Sequence, residues 1–366
     1  MTMFPIFQFD PNFFKLHWQQ LSQASILLPV GFKTTTLSFA TDDGAFFIEA
    51  KIDTKLSDFL AQSNLAVVIM DKLVPVATDA KYNGAMLIIQ FTSFGCGGSA
   101  IVPELVPTSP EVVPQSLPSS SENFVPPQDK KFVTKRFVFS ASKIKELKDR
   151  VIHKIRKEED NMFPSRVDVV LALIWKCALA SALVSKSTSF RKSLMLQAVN
   201  LRTRTDPPLP ESSMGNLVIL FPMAVEKESD LELHELVSKL LTVKVRANKM
   251  KKKYQGHDDP QQVIDAMGSD SMNEMFQVRK NLKDFSAFVA TSCVNSPFYE
   301  IDFGWGKPAW VTSRPKTFVA NSIYLFDTKQ VGEVEVLMNM LTEEEISALE
   351  RNQELLQFAL VNPAII

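Results

Sequence analysis

The sequence predicts an α/β protein built as two domains. Three observations carry that reading. Strand-like runs alternate with runs of helical period along most of the chain. A proline- and serine-rich stretch without apolar periodicity interrupts the alternation. The chain has 366 residues, 45% of them hydrophobic, enough for two cores.

The totals narrow the function classes. A formal net charge of -1, with 22% charged residues, lacks the Lys and Arg excess of a nucleic-acid binder. The one basic run, Lys251-Lys252-Lys253, ends a helix predicted over about 231–253. There it complements the negative end of the helix dipole, as a solvated face does. Cys96, Cys177 and Cys293 are few, odd in number and far apart, which suits neither a disulfide framework nor a metal cluster. The opening residues, Met1-Thr2-Met3-Phe4-Pro5, lack the charged and apolar regions of a secretory signal. The most apolar run, Val167 to Val184, contains Asp168 and Lys176 and reads as a buried helix instead of a membrane span. The expectation is a soluble cytoplasmic protein, without a metal and without nucleic-acid or membrane partners.

Residues 1–35 are aromatic-rich and carry no assignable element. Asp42-Asp43-Gly44 is a turn signal leading into a strand at Ala45–Ala50, and Leu56–Leu60 suggests a short helix. A buried strand follows at Gly84–Phe94 and runs into Gly95-Cys96-Gly97-Gly98-Ser99-Ala100. Those glycines match a dinucleotide-binding fingerprint, but that fingerprint needs a helix after it to hold the pyrophosphate. Pro103, Pro107, Pro110, Pro114 and Pro118 follow instead, so a nicotinamide or flavin cofactor is rejected. Residues 103–127 hold seven prolines together with Ser119-Ser120-Ser121, a linker composition. The division is an N-terminal domain at 1–102, a linker at 103–131 and a C-terminal domain at 132–366.

The second half is more regular. Lys131–Phe139 reads as a strand, and after Ser140 the residues Ile144, Leu147, Val151, Ile152 and Ile155 fall at helical spacing. Ser165 is placed to cap the next helix, with Asp168 three residues on. Leu194–Arg202 reads as a strand, as do 285–292, 317–326 and Val334–Met340. Thr342 and Glu345 form a capping box opening a C-terminal helix, with Ile346, Leu349, Leu355, Leu356 and Phe358 on its apolar face.

One stretch stands apart, Tyr299 to Trp310. Gly304 and Gly306 flank Trp305, Asp302 opens the turn, and Pro308 and Trp310 close it. The string Asp302-Phe303-Gly304-Trp305-Gly306-Lys307-Pro308 resembles the C-terminal signature of the plant BAHD acyltransferases. Supporting strings stand in the family's order. They are Asp43-Gly44-Ala45 with its following strand, Phe94 with Cys96-Gly97-Gly98, Val199-Asn200-Leu201-Arg202, and Met214-Gly215-Asn216. The nearest type is the alkaloid and terpenoid O-acetyltransferases such as vinorine synthase. The resemblance implies a two-domain architecture related to chloramphenicol acetyltransferase. It also implies a monomeric cytoplasmic enzyme of plant secondary metabolism, moving an acyl group from acyl-CoA to a hydroxyl of a small-molecule acceptor. Acyl-CoA is then a co-substrate, and no cofactor is held permanently. By the same resemblance Asp302, Phe303, Gly304, Trp305 and Gly306 are structural supports off the reaction centre, and Arg202 is the ion-pair partner of Asp302.

The departure from the family is equally specific. Its members deliver a His-x-x-x-Asp-Gly motif after the glycine string, the imidazole acting as general base on the acceptor hydroxyl. Here Ile101 is followed by Val102-Pro103-Glu104-Leu105, and none of His17, His153, His234 and His257 has an acid four residues on. The simplest account is a deletion between Ile101 and Pro103. It leaves an incomplete N-terminal domain with an open gap in its sheet and no residue assignable as catalytic. Acyl transfer is then impaired. The alternative is a non-catalytic pseudoenzyme or CoA-binding regulatory protein, and a mis-joined gene model is a third account.

Overall fold

The computed structural model describes residues 35–37, 45–61, 73, 87–105, 133–155, 163–186, 190–206, 208–209, 218–253, 260–280, 285–302, 304, 306–313, 321–340 and 342–365. The aromatic-rich start, the Asp42-Asp43-Gly44 turn and most of the linker lie outside these residues, as do Phe303 and Trp305.

Two sheets organise the chain. In the N-terminal lobe β1 (Thr35–Leu37), β2 (Ala45–Ile52), β3 (Leu87–Phe94) and β4 (Ser99–Leu105) hydrogen-bond in that order. β2 and β3 run parallel and the outer pairs antiparallel. The short helix α1 (Leu56–Leu60) puts Phe59 edge-on against Phe94, with ring centroids 5.2 Å apart. These two rings and Leu73 form the lobe's apolar cluster.

The gap expected beside β3 is absent. Leu87 to Ser93 pair in register with Leu105 to Ser99, so the outer edge of β3 is covered along nearly its whole length. β-branched Ile101 and Val102 suit a pleated strand. Pro103, opposite Ile89, is tolerated because β4 is the edge of the sheet and its missing N–H costs no ladder bond further out. The strand therefore continues past residue 102 into the proline-rich stretch.

The C-terminal lobe has more elements. Its strands are β5 (Val133–Phe139), β6 (Ser193–Asn200), β7 (Val218–Val225), β8 (Ser286–Ser292), β9 (Ser322–Asp327), β10 (Val334–Met340) and β11 (Ala359–Val361). They form one seven-stranded sheet in the order β11-β5-β10-β9-β8-β6-β7, with β8 parallel to β6 and β9. Its helices are α2 (Ala141–Ile152), α3 (Arg166–Lys186), α4 (Leu233–Lys253), α5 (Pro260–Lys280), α6 (Glu343–Glu350) and α7 (Gln353–Leu356).

Alternation along the strands separates two faces. Phe137 and Phe139 of β5, with Val334, Val336, Met338 and Met340 of β10, join the core built on α3 and α4. On the opposite face lie Arg136, Glu335 and Leu337. Toward the far end of the sheet, Met275 and Val278 of α5 pack with Leu194, Leu196, Phe285, Ala287 and Val289. Helix α5 and strand β7 are absent from the sequence reading. β7 carries Pro222 and is again an edge strand.

α3 is the buried helix expected. Among the described residues no helix is long and apolar enough to cross a membrane. Trp175 is fully buried and donates its indole N–H to Ser193 Oγ at 3.0 Å. The two charges in this apolar run are both answered. Lys176 pairs with Glu354 of α7 at 2.7 Å, and Asp168 pairs with Lys244 of α4. Asp168 also completes the expected cap: its Oδ2 accepts from Ser165 N at 2.6 Å, while its own N–H donates to Ser165 Oγ at 3.3 Å.

The C-terminal helix is shorter than its apolar spacing suggests. α6 opens on the expected box, with Thr342 Oγ1 accepting from Glu345 N at 3.1 Å, but stops at Glu350. Asn352 then recaps the chain by accepting from Leu355 N at 3.0 Å and starts the single turn α7. Phe358 lies beyond both helices, and Leu356 faces outward. The strand read at 317–326 is observed at Ser322–Asp327, while 317–320 lie outside the described residues.

Because Asp168 is 1% exposed and joins the α3 cap to α4, Asp168→Ala removes a cap and an ion pair at once. Urea denaturation should show a loss of about 1–3 kcal/mol, with the circular-dichroism spectrum of the folded state unchanged.

Candidate functional site

The signature segment begins in a 3₁₀ turn, Pro297–Glu300, whose first position suits proline. Asp302 then folds the chain around its own carboxylate. Its Oδ1 accepts from Gly304 N at 2.8 Å and from Gly306 N at 3.0 Å. Gly304 has φ 105° and Gly306 φ 109°, a region that L side chains rarely enter. A Cβ at either position would meet nothing within 4 Å, so backbone conformation alone demands glycine. Lys307 and Glu300 form an exposed ion pair across the turn at 2.5 Å.

Two further contacts close the segment. Val311 N donates to the Tyr299 hydroxyl at 3.1 Å, tying the start of the stretch to its end. Burial pushes the Tyr299 phenol up to about 12, so it stays protonated across the physiological range. Trp310 donates its indole N–H to Glu335 of β10, with both carboxylate oxygens at 3.2 Å. Glu335 is 2% exposed and forms a 2.8 Å ion pair with Arg136 of β5. Burial raises the Glu335 pKa, opposed by the Arg136 charge and by hydrogen bonds from Arg136 and Trp310.

Arg202 lies in the turn after β6 and is 6% exposed. Its N–H and its Nη1 both donate to Asn200 Oδ1, at 3.0 and 3.3 Å, and its carbonyl accepts from Leu209 N at 2.9 Å. The strand read through Arg202 thus ends at Asn200, with Arg202 just beyond it.

The second glycine string is a hairpin turn, not a nucleotide loop. Gly97 N donates to Phe94 O at 2.9 Å and Phe94 N to Gly98 O at 2.8 Å, closing β3 onto β4. A Cβ on Gly95 would stand 2.6 Å from Asp53 O, and one on Gly98 2.8 Å from Leu56 Cδ2. At Gly95 the turn is therefore pressed against the backbone of the β2–α1 connection, where a side chain does not fit. Within it Leu56 N donates to Cys96 Sγ at 3.2 Å, and that bond lowers the pKa of the exposed Cys96 thiol. Burial raises Cys177 and Cys293 to about 12.

Of the four histidines, His17 and His257 lie outside the described residues. His153 is exposed at the C-terminal end of α2. His234 sits in the first turn of α4, 3.5 Å from Glu235. Neither is on the N-terminal sheet where the family's base is expected.

Comparison with known proteins defines the class. The profile described as Transferase family matches residues 38–103 and 101–356. Akuammiline synthase 1 of Alstonia scholaris is 31% identical over 349 residues, 87% of this chain and 78% of that protein. BAHD acyltransferase BIA1 of Arabidopsis thaliana is 30% identical, covering 89% of this chain and 80% of its own length. The chain belongs to the BAHD acyltransferase family.

Solved structures agree on the architecture. Vinorine synthase superposes with a TM-score of 0.61 at 26% identity, over 87% of this chain and 77% of that one. The TRI101 protein of F. sporotrichioides, complexed with coenzyme A and T-2, gives 0.62 at 14% identity, over 87% and 81%, a likeness of fold. The two-domain acyltransferase fold expected from the signature is thereby observed.

Sequence reasoning singled out Asp302, Gly304, Gly306 and Arg202, gave Tyr299 no role beyond opening the stretch, and missed Arg136 and Glu335. A signal existed for Glu335, an acid inside the otherwise almost wholly apolar run Val334–Met340.

Two outcomes follow. Gly304→Ala or Gly306→Ala should each cost about 1–3 kcal/mol, read as a lower melting temperature, because alanine must enter a strained region of φ. A lowered pKa means more thiolate at a given pH, so iodoacetamide at pH 8 should label Cys96 first. Cys177 and Cys293 should react only after denaturation, as peptide mapping would show.

Proposed function

We propose that this chain is an acyl-CoA-dependent O-acyltransferase of plant specialised metabolism whose turnover is slowed because it lacks the family's general-base histidine. The observation that carries this reading is the family scaffold, matched over most of the chain and with β3 and β4 paired where the sequence suggested a gap. Relatives named for specialised-metabolite acyl transfer, among them deacetylvindoline O-acetyltransferase of Catharanthus roseus at 28% identity, support an acceptor hydroxyl on an alkaloid or terpenoid. A neighbour complexed with coenzyme A supports acyl-CoA as co-substrate.

Within the scaffold, Arg202 braces Asp302 and so holds the glycine turn. The near-complete burial of Arg202 supports that pairing, because a buried guanidinium calls for an acidic partner. The N-terminal lobe occupies residues up to about 105, the linker runs to about 131, and the C-terminal lobe follows. The protein acts as a cytoplasmic monomer.

Loss of a positioned base typically forfeits about 10²–10⁴ in rate. The absence of any His-x-x-x-Asp string favours one specific second reading, a non-catalytic protein that retains a coenzyme A pocket.

Acetyl-CoA with a panel of alkaloid and terpenoid alcohols, followed by thiol release, separates the two. The proposal expects slow, alcohol-dependent release about 10²–10⁴ below a histidine-bearing relative, rising when free imidazole supplies the missing base. Release at buffer background with or without imidazole, from protein that still binds coenzyme A, establishes the second reading.

A further inference from the structure

The signature segment ends on a tryptophan that the glycine turn does not explain. Trp310 lies eight positions after Asp302, and its indole N–H bridges both oxygens of Glu335 at 3.2 Å. Its ring also joins the cluster of Phe59, Leu73 and Phe94, which belongs to the N-terminal lobe. One side chain thus touches the buried acid of the C-terminal sheet and the apolar centre of the other lobe.

A second C-terminal residue, Ile365, reaches the same cluster by a different route. Arg136, the ion-pair partner of Glu335, stands 5.7 Å from the Trp310 ring centroid and donates Nη2 to the Pro363 carbonyl. Its backbone holds the same tail, with Arg136 N donating to Asn362 Oδ1 at 3.0 Å and Asn362 N to Arg136 O at 2.8 Å. Asn362 has φ 43°, a left-handed conformation that Asn accepts more readily than most residues. The chain then delivers Ile365 to the same Phe59–Leu73–Phe94 cluster. Trp310 and Ile365 are the C-terminal residues packed on that cluster among the described residues, and Arg136–Glu335 holds both.

We propose that the Arg136–Glu335 pair is an interlobe clasp, a positioning device that docks the N-terminal lobe onto the C-terminal sheet through Trp310 and the tail at Ile365. The physical reason lies in the burial of the acid. A carboxylate 2% exposed is tolerated only with a counter-charge and further donors. The donors present come from the signature segment and from β5, so satisfying the acid also fixes where Trp310 points. Arg136 answers the acid and the tail together, which couples the two apolar anchors. Each lobe has an apolar cluster of its own, yet their mutual placement depends on a polar pair that lies wholly in one of them.

Amide hydrogen exchange on the full-length chain tests this without turnover, so its result stands apart from whether the protein transfers acyl groups. Trp310→Ala and Ile365→Ala should speed exchange in β3 and β4 by about tenfold or more while β6 and β8 keep their wild-type rates. Glu335→Gln, the decisive variant, removes a charge whose ion pair and hydrogen bonds among the described residues are all to C-terminal residues, and should give the same selective loss. Trp310→Phe keeps the ring but not the N–H, so it removes the bond to Glu335 directly and should also speed β3–β4 exchange selectively. Wild-type β3–β4 rates in Glu335→Gln would overturn the clasp, as would equal acceleration of β6 and β8.

Discussion

Backbone groups in a buried strand must find partners, and in the N-terminal lobe that demand falls on β3. Ile88, Ile89, Gln90, Thr92 and Phe94 are all buried, with β2 on one side. The other side is met by Ser99–Leu105, a strand that draws its last residues from the proline-rich stretch. Without it the lobe would be three strands with an exposed apolar edge. With it the Gly95–Gly98 turn closes tightly, α1 is seated beneath, and a surface exists on which Trp310 and Ile365 can rest. What this chain lacks is the histidine motif, and the pairing of the sheet does not depend on that motif.

The signature segment divides into two parts with different physics. Around Asp302 it is a local backbone device, in which one carboxylate oxygen gathers two amides and two glycines accept the resulting φ. Around Trp310 it is a long-range contact that answers a buried acid twenty-five residues on in β10. Tyr299 joins the two through its bond from Val311. A turn of this kind can support a reaction centre without touching it. The glycines set its shape, and the indole and the acid set its place.

The regular core was legible because its signals are local. Ser165 and Thr342 each cap as their neighbours suggest, and α3 reads as buried because its run is apolar on most faces. The elements left unread fail for identifiable reasons. β4 and β7 each contain a proline, which masks a strand until its edge position is known. α5 carries Val263, Met267, Met275 and Val278 at helical spacing but dilutes them with Ser, Asp, Asn and Gly268. The break at Asn352 depends on a side-chain cap that competes with an apolar face suited to a longer helix. At the site, Asp302, Gly304 and Gly306 were visible as an improbable string. Arg136 and Glu335 were not, because one ends a basic pair beside Lys135 and the other hides in a strand. Only the antiparallel register of β5 and β10 brings them to one face.

The chain is a BAHD acyltransferase in fold and family, and its sequence carries no His-x-x-x-Asp string. Binding of the acyl donor and activation of the acceptor are separable tasks. The most direct measurement is calorimetric titration of coenzyme A and acetyl-CoA into the full-length protein. Saturable binding of one molecule per chain is the expected result, since the scaffold that receives the donor does not include the missing base. Heats equal to dilution alone, from protein whose circular dichroism shows it folded, would contradict the account.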